Sequence, residues 1–270
     1  GSLYLASVEG HAPRLFSSWI AGFHKNYPQV QYSLWNGDTD EVEGRVNKGL
    51  CDLGLVMDPF NAEGLNSIHV YSEPWIAMIP AAHPLAQWPG DSIPLAQLAP
   101  YELIIPSRAT RLQEITGWFA ASGQKPIVRC RMAHMLNAYE LTEQNVGIAI
   151  YPAAAAEFAA GASICIKRLV EPAVTASYAL VWSQNRPLSR VSREFLNYVQ
   201  NTLAAPTDRI RHERPCYRAA ATPCAALLPP FAPDRRGHRT DVLPGGALRV
   251  APTKLFRTGF RQYLRRVRGA

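Results

Sequence analysis

Apolar residues recur along positions 1–205 at two different spacings, which alternate along the chain. After Pro13 they stand three or four positions apart, and this spacing predicts an amphipathic helix that ends before Pro28. Residues 30–34 instead alternate apolar and polar side chains, which predicts a strand. Strands separated by helices of this length indicate right-handed crossovers and a mainly parallel sheet, so the predicted fold class is α/β.

The same two spacings give approximate limits for the other elements. Strands are predicted at residues 3–6, 50–57, 75–80, 103–105, 127–131, 147–151, 164–169 and 177–182. Helices are predicted around residues 42–46, 112–123, 136–142 and 191–203, and in the Ala-rich segment after residue 152. The polar turn at residues 37–40 is typical of a segment that caps a helix.

The positive charge of the chain is concentrated near its C-terminus. The net charge is +7, but residues 206–270 hold thirteen Arg and one Lys against four acidic residues, whereas residues 1–205 hold 14 basic and 17 acidic residues. The body is therefore mildly acidic, and the total charge does not indicate a nucleic-acid partner for it. Eight prolines and little hydrophobic periodicity predict that residues 206–270 form a disordered, basic tail rich in Arg, Pro and Ala.

Local motifs for catalysis and metal binding are absent from the sequence. We find no Gly-x-Gly-x-x-Gly loop, no Gly-x-Ser-x-Gly turn, no His-Glu-x-x-His helix and no Cys-x-x-Cys pair among the five cysteines. We therefore expect a protein that is not an enzyme and that uses no cofactor and no metal. Because no apolar run is long enough for a bilayer and no leader opens the chain, we expect a cytoplasmic protein without membrane contacts.

Several short segments follow one another in an order that is typical of one family. They are residues 1–7 (GSLYLAS), 23–30 (FHKNYPQV), 37–39 (GDT), 46–55 (VNKGLCDLGL), 73–75 (EPW), 83–86 (HPLA) and 145–152 (NVGIAIYP). In this order, and over about residues 1–205, they resemble the effector-binding domain of LysR-type transcriptional regulators, also called the LysR substrate-binding domain. Each segment alone is weak support, and the common order makes the resemblance specific.

The resemblance implies two Rossmann-like lobes joined by a hinge, as in type-2 periplasmic binding proteins. Lobe 1 would comprise about residues 1–75 and 180–205, and lobe 2 about residues 76–179, with the strands at 75–80 and 177–182 as the hinge. It also implies a small-molecule effector in the cleft between the lobes. Since the family's effectors are typically small carboxylates, we expect an anionic metabolite.

The resemblance further implies partners that this sequence does not itself contain. In the family an N-terminal winged helix-turn-helix domain binds DNA, and the chain, which begins without Met, is expected to be a piece of a longer protein that lacks it. DNA binding is then expected only through that missing domain. The family also forms homodimers or tetramers. The aromatic residues Phe16, Trp19 and Phe23 of the first helix are therefore candidates either for the core or for contact with residues 112–119 of a second subunit.

Candidate effector-binding residues lie where predicted strands give way to helices, because ligands in open α/β sheets gather at strand C-termini and helix N-termini. Ser7 and Thr39 match family positions that contact ligand. The candidate set is Ser7, Val8, Glu9, Gly10, His11, Asp38 and Thr39 in lobe 1, with Ser107, Arg108, His134, Asn137 and Ile148 in lobe 2.

Alternatives remain open at several of these positions. His11 is equally well interpreted as a donor to an anion or as a side chain in solvent. Thr39 is equally well interpreted as a helix cap, Arg108 as a surface residue and Ile148 as plain core. Glu9 is a departure, because an acidic side chain opposes an anionic effector unless it faces away or is paired. For the whole chain, the alternative is a solute-binding protein of a transporter, which shares the fold, and an enzyme is a more distant one.

Overall fold

The computed structural model describes residues 1–158 and 163–204. The predicted tail, residues 206–270, lies outside the described residues. None of the described helices is long and apolar enough to cross a membrane.

Lobe 1 is built around three parallel strands. Its elements are β1 (Ser2–Ser7), α1 (Ala12–Asn26), β2 (Gln31–Asn36), α2 (Thr39–Asn47) and β3 (Leu53–Met57). β1 runs between β2 and β3, and Ser7 at its end is level with Asn36 and Leu55. The three strands therefore end at one edge of the sheet, as the parallel arrangement requires.

A long strand, β4 (Leu65–Pro80), leads from lobe 1 into lobe 2. The elements of lobe 2 are β5 (Ser92–Pro94), β6 (Glu102–Pro106), α3 (Ala109–Ala121), β7 (Ile127–Met132), α4 (Met135–Glu143), β8 (Ile148–Pro152), β9 (Ile164–Val170) and three 3-10 helices at Pro84–Gln87, Leu95–Leu98 and Ala153–Phe158. β6 is parallel to both β7 and β8, so these strands also end at a common edge.

The chain returns to lobe 1 through β10 (Thr175–Ser183) and ends the described part with α5 (Arg190–Ala204). β10 pairs antiparallel with the first part of β4 and with β3, while the second part of β4, from Trp75 onward, pairs with β8 and β9. The main strand order is therefore β2-β1-β3-β10-β4-β8-β6-β7. Two neighbouring strands thus connect the lobes, which is the arrangement of a hinge.

β4 begins ten residues earlier than the sequence predicts. Residues 66–72 are partly buried or exposed, whereas every residue from Trp75 to the end of the strand is buried. Only the buried part forms the apolar run from which a strand was inferred, and the half-solvated part precedes it.

Aromatic residues of α1 fill the core of lobe 1. Phe16, Trp19 and Phe23 are at most 1% exposed, Trp19 meets Phe16 edge to face, and Phe23 meets Phe195 of α5 edge to face. Of the two alternatives for these side chains, core or contact with a second subunit, the structure therefore shows the core, because they are already covered by their own chain.

Candidate functional site

The loops that carry most of the candidate residues lie at the strand ends of both lobes. In lobe 1 these are residues 8–11 after β1 and residues 37–38 after β2; in lobe 2 they are residues 107–108 after β6 and residues 133–134 after β7. Because parallel strands end at a common edge, each lobe gathers its own loops there. Contacts between the two sets of loops, described below, show that the edges face each other.

The hydroxyl groups of Ser7 and Thr39 hold lobe 1 together. Ser7, which is buried, accepts a hydrogen bond from Nδ2 of Asn36 at 2.9 Å. The hydroxyl of Thr39 donates to the carbonyl oxygen of Met57 (3.3 Å) and accepts the amide hydrogen of the same residue (3.4 Å). The Ser7 hydroxyl therefore links the ends of β1 and β2, and the Thr39 hydroxyl links the start of α2 to the end of β3.

Asp38, and not Thr39, caps α2. Its carboxylate accepts the N–H of Glu41, and the Glu41 carboxylate accepts the N–H of Asp38, both at 2.9 Å, which is a reciprocal capping box. The alternative role of Thr39 as the cap is thereby excluded. The acidic side chain of Asp38 is engaged with its own helix.

Glu9 reaches across from lobe 1 to lobe 2. Its Oε1 lies 2.7 Å from Nδ1 of His134, and its Oε2 accepts the N–H of Met135 at 2.9 Å. Met135 is the first residue of α4, so the carboxylate sits at the N-terminus of that helix, where the helix dipole favours a negative charge. Glu9, whose negative charge was expected to oppose an anionic effector, is therefore paired with groups of lobe 2.

Arg108 makes a second bridge between the lobes. Its Nε and Nη2 lie 3.0 and 2.5 Å from Oδ1 of Asp40, at the start of α2, and its Nη1 donates to the carbonyl oxygen of Pro59 at 2.8 Å. The Arg108 side chain is 12% exposed and that of Asp40 is 63% exposed. Arg108 is thus an interlobe group whose carboxylate partner remains open to solvent, and the alternative of a plain surface residue does not describe it.

Arg111, one helical turn further along α3, also contacts lobe 1. Its guanidinium donates to the carbonyl oxygen of Asp58 and pairs with Glu114 of its own helix at 2.5 Å. The group is 4% exposed and stacks over the Trp75 ring. Burial lowers the pKa of this guanidinium from its ordinary value, and the nearby Glu114 counteracts that change.

The hinge strands contribute a buried acid to the same region. Glu73 of β4 accepts the O–H of Tyr178 of β10 at 2.5 Å and the N–H of Ala154 in lobe 2 at 2.8 Å. Tyr178 in turn accepts the N–H of His11 at 3.2 Å, and the His11 ring stacks on Tyr71. A chain of hydrogen bonds thus runs from the start of α1, through the hinge, to lobe 2.

Burial controls the ionisation of this hinge cluster. Desolvation raises the pKa of Glu73 to about 7, although its hydrogen bonds from Tyr178 and Ala154 act in the opposite direction. Burial and the adjacent Glu73 also raise the pKa of Tyr178 well above its ordinary value. Glu73 is therefore a group that changes its charge near neutral pH.

Gly10 is required by close packing in the loop after β1. Its φ of +85° is unfavourable for other residues, and a Cβ atom there would lie 2.4 Å from the Tyr178 hydroxyl and 3.3 Å from the terminal methyl of Met135. Val8, at the start of the same loop, is buried and donates its N–H to the carbonyl oxygen of Leu55. The loop is thus in contact with both the hinge and lobe 2.

Three candidates are not drawn into these contacts. Ile148 is 1% exposed and lies at the start of β8, level with Leu103, so it is core at the opposite end of the strand from the loops. Ser107 directly follows β6 and Asn137 lies in the first turn of α4, and both residues are exposed. The backbone N–H of Ser107 donates to the carbonyl oxygen of Met132 at 3.0 Å.

Sequence reasoning missed five residues of the interlobe region: Asp40, Glu73, Arg111, Met135 and Tyr178. For Glu73 a signal was present, because an acidic residue stands two positions before the continuously apolar strand from Trp75. Arg111 gave no signal, since a basic residue in the first turn of an amphipathic helix is ordinarily solvated. The other three act through partners distant in sequence.

Elsewhere in the described part of the chain, metal ligands and surface grooves are the remaining features that could bind a ligand. No group of three or more His, Cys, Asp or Glu side chains there is placed to hold a metal ion. A groove of about 550 Å³ lies on lobe 1 and is lined by Gly1, Ser2, Tyr27, Val30 and four residues of the segment 189–194. It contains none of the interlobe residues and belongs to a different surface.

Comparison with known proteins shows one consistent likeness. A family profile described as the LysR substrate binding domain matches residues 1–204. The chain is 25% identical over 202 residues to the HTH-type transcriptional regulator YfeR of Shigella flexneri, a match that covers 74% of this chain and 65% of YfeR. The chain therefore spans a little under two thirds of that relative's length.

Solved structures show the same fold. The effector-binding domain of QuiR in complex with shikimate has a TM-score of 0.66 at 20% identity and covers 75% of this chain and 97% of QuiR's. The Synechocystis PCC6803 CcmR regulatory domain in complex with 2-PG also has a TM-score of 0.66 at 20% identity, with 76% and 99% covered. The likeness confirms the predicted fold class, two α/β lobes of the type-2 periplasmic-binding-protein kind.

Proposed function

The chain belongs to the LysR substrate-binding domain family, and from this premise we propose that it senses a small anionic metabolite between its lobes. The family consists of transcription regulators and not of enzymes, so the expected output is a change of conformation. In the proposed mechanism, binding shifts the relative position of the lobes, and the shift is relayed to a DNA-binding domain of the same protein.

The observation that carries the proposal is a set of cationic and N–H groups of lobe 2 that face the loops of lobe 1. Arg108 there holds the carboxylate of Asp40, and the N-terminus of α4, with His134, holds the carboxylate of Glu9. Guanidinium groups and helix N-termini are suited to carboxylates. This region already binds two carboxylates of its own chain, so it is suited to an effector that also carries a carboxylate.

Arg108 is the side chain best placed to recognise such an effector. Its present partner, Asp40, is largely exposed, so replacing it with the carboxylate of a ligand exposes no buried charge. QuiR and CcmR, which share the fold, were solved with the small molecules shikimate and 2-PG. A ligand that contacts Arg108 of lobe 2 and the loop 7–11 of lobe 1 would bind the two arrangements of the lobes differently, as a switch requires.

The wider assignment is also part of the proposal. We divide the domain into lobe 1, about residues 1–75 and 180–205, and lobe 2, about residues 76–179, with β4 and β10 as the hinge. The whole protein is proposed to be a cytoplasmic homodimer or tetramer that contacts DNA only through its helix-turn-helix domain.

A thermal-shift screen tests the proposed ligand class. Small carboxylic acids, amino acids and neutral metabolites would be compared on the wild type, on Arg108→Ala and on Arg129→Ala, whose exposed pair with Glu102 lies at the other end of β6. A carboxylate at a hundredfold its Kd should raise the Tm of the wild type and of Arg129→Ala by about 5 to 10 °C. In Arg108→Ala the shift should be lost, while any neutral ligand keeps its effect.

Two results would overturn the proposal. One is an acid that binds with an affinity indifferent to changes at Ser7, Thr39 and Arg108 alike, because its site would then lie elsewhere. The other is a panel in which only neutral or cationic compounds raise the Tm, because the effector would then not be an anion.

A further inference from the structure

The contact between Glu9 and α4 joins two parts of the chain that are 125 residues apart. Glu9 lies in the loop between β1 and α1 of lobe 1, and both of its carboxylate oxygens are used in lobe 2. One oxygen faces the His134 ring and the other accepts the Met135 N–H. A single side chain therefore fastens the effector-side loop of lobe 1 to a helix of lobe 2.

α4 depends on this contact for its cap. The residue at its N-cap position, His134, makes no side-chain hydrogen bond to the first turn of the helix. The first N–H groups of any helix need partners from outside the helix. Among the described residues, Glu9 is the side chain that supplies one, so lobe 1 completes a helix of lobe 2.

Packing reinforces the contact at the next residue. At Gly10 the terminal methyl of Met135 lies 3.3 Å from the position that a Cβ atom would take, so the loop and α4 touch. At its C-terminal end the same loop is held by the hydrogen bond from the His11 N–H to the hydroxyl of Tyr178 in the hinge. The carboxylate thus acts from a loop that is fixed on both sides.

We propose that Glu9 is an intramolecular clasp, which holds the two lobes together in the absence of an effector and which an anionic effector has to release. The loop that carries Glu9 is also the loop proposed to contact the effector. An anion placed there meets the charge of the Glu9 carboxylate, and like charges at close range repel each other. The clasp and an anionic effector therefore oppose each other.

The clasp belongs to the proposed sensing function, but it is tested without any effector, so a failed effector screen and a failed clasp are separate results. Amide hydrogen exchange would be followed by NMR in the wild type, Glu9→Ala, Glu9→Gln and the control Glu140→Ala. Glu140 is an exposed acid on the same helix, and its side chain forms no hydrogen bond or ion pair with lobe 1 among the described residues.

Hydrogen exchange at two amides distinguishes a clasp between the lobes from a local helix cap. The Met135 N–H is bound by Glu9 itself, whereas the Ala154 N–H is bound by Glu73 at a different interlobe contact. For a clasp, exchange at both amides should rise about tenfold in Glu9→Ala. Glu9→Gln keeps an acceptor for the Met135 N–H and should lie between Glu9→Ala and the wild type, and Glu140→Ala should match the wild type.

The proposal is overturned if only the Met135 amide responds, because Glu9 would then cap α4 without holding the lobes. It is equally overturned if neither amide responds, or if Glu140→Ala raises exchange as much as Glu9→Ala does, because the effect would then follow from any loss of negative charge near α4.

Discussion

Replacing Glu73 with Gln should remove a specific part of the pH dependence of stability. Glu73 is 4% exposed and lies between the hinge and lobe 2, with hydrogen bonds from Tyr178 and Ala154. Burial raises its pKa from 4.5 to about 7, and Glu157 adds to the increase while Arg14 acts against it. The ionised form is therefore less favourable in the folded protein than in the unfolded chain.

The direction and size of the effect follow from this pKa. A group whose pKa is higher in the folded state contributes its full stability below the unfolded pKa, near 4.5, and loses it as the pH rises through about 7. Each unit of pKa difference is equivalent to about 1.4 kcal/mol. Between pH 5 and pH 8, Glu73 should therefore lower the free energy of unfolding by about 2 to 3 kcal/mol.

Urea unfolding at pH 5, 6, 7 and 8 measures this contribution. The wild type would be compared with Glu73→Gln and with Glu63→Gln, in which an exposed acid is changed in the same way. Other titrating groups are common to all three proteins and cancel in the differences. The difference between the wild type and Glu73→Gln should change by about 2 to 3 kcal/mol over this range, in favour of Gln at high pH. Parallel curves for these two proteins would refute the reasoning.

Three further substitutions test the packing around the site. Trp19→Ala should lower the free energy of unfolding by about 3 to 5 kcal/mol without changing the sedimentation coefficient, because the ring is core; a loss below about 1 kcal/mol would contradict its burial. Gly10→Ala should cost about 1 to 3 kcal/mol in the same assay, since its Cβ meets the Tyr178 hydroxyl, and an unchanged stability would show that the loop has room. Asp38→Ala should lower the free energy of unfolding by about 1 kcal/mol through loss of the α2 cap, and an unchanged value would show that the capping box does not stabilise the protein.

Periodicity predicted the element order well because it reports burial within a single element. The spacing of Leu15, Phe16, Trp19 and Phe23 placed α1 correctly, since all four face the core. The same criterion misplaced the start of β4, whose first part is only half buried. The 3-10 helices at Pro84–Gln87 and Leu95–Leu98 escaped it altogether, being too short to show a period.

The candidate site was predicted in outline and not in its contacts. Strand ends identified the loops of Glu9 and Arg108, because the position of a loop follows from the order of the elements. The partners of these residues, His134 and Asp40, are 125 and 68 positions away, and no local pattern indicates which distant side chain a charged group meets. For that reason the sequence showed only that Glu9 is an unexpected acidic residue at a site for an anion, and the structure was needed to show which groups it binds.

The most direct test of the central claim is to locate the bound effector by hydrogen–deuterium exchange. A carboxylate identified by its thermal shift would be added at saturation, and the exchange of the loops 7–11, 37–40, 106–109 and 133–137 would be compared with that of the free protein. We predict altered exchange in loops of both lobes, together with little change at the distant Glu102–Arg129 end of β6 and β7. Changes confined to one lobe, or centred on the groove near Tyr27 and Arg190, would contradict an effector site between the lobes.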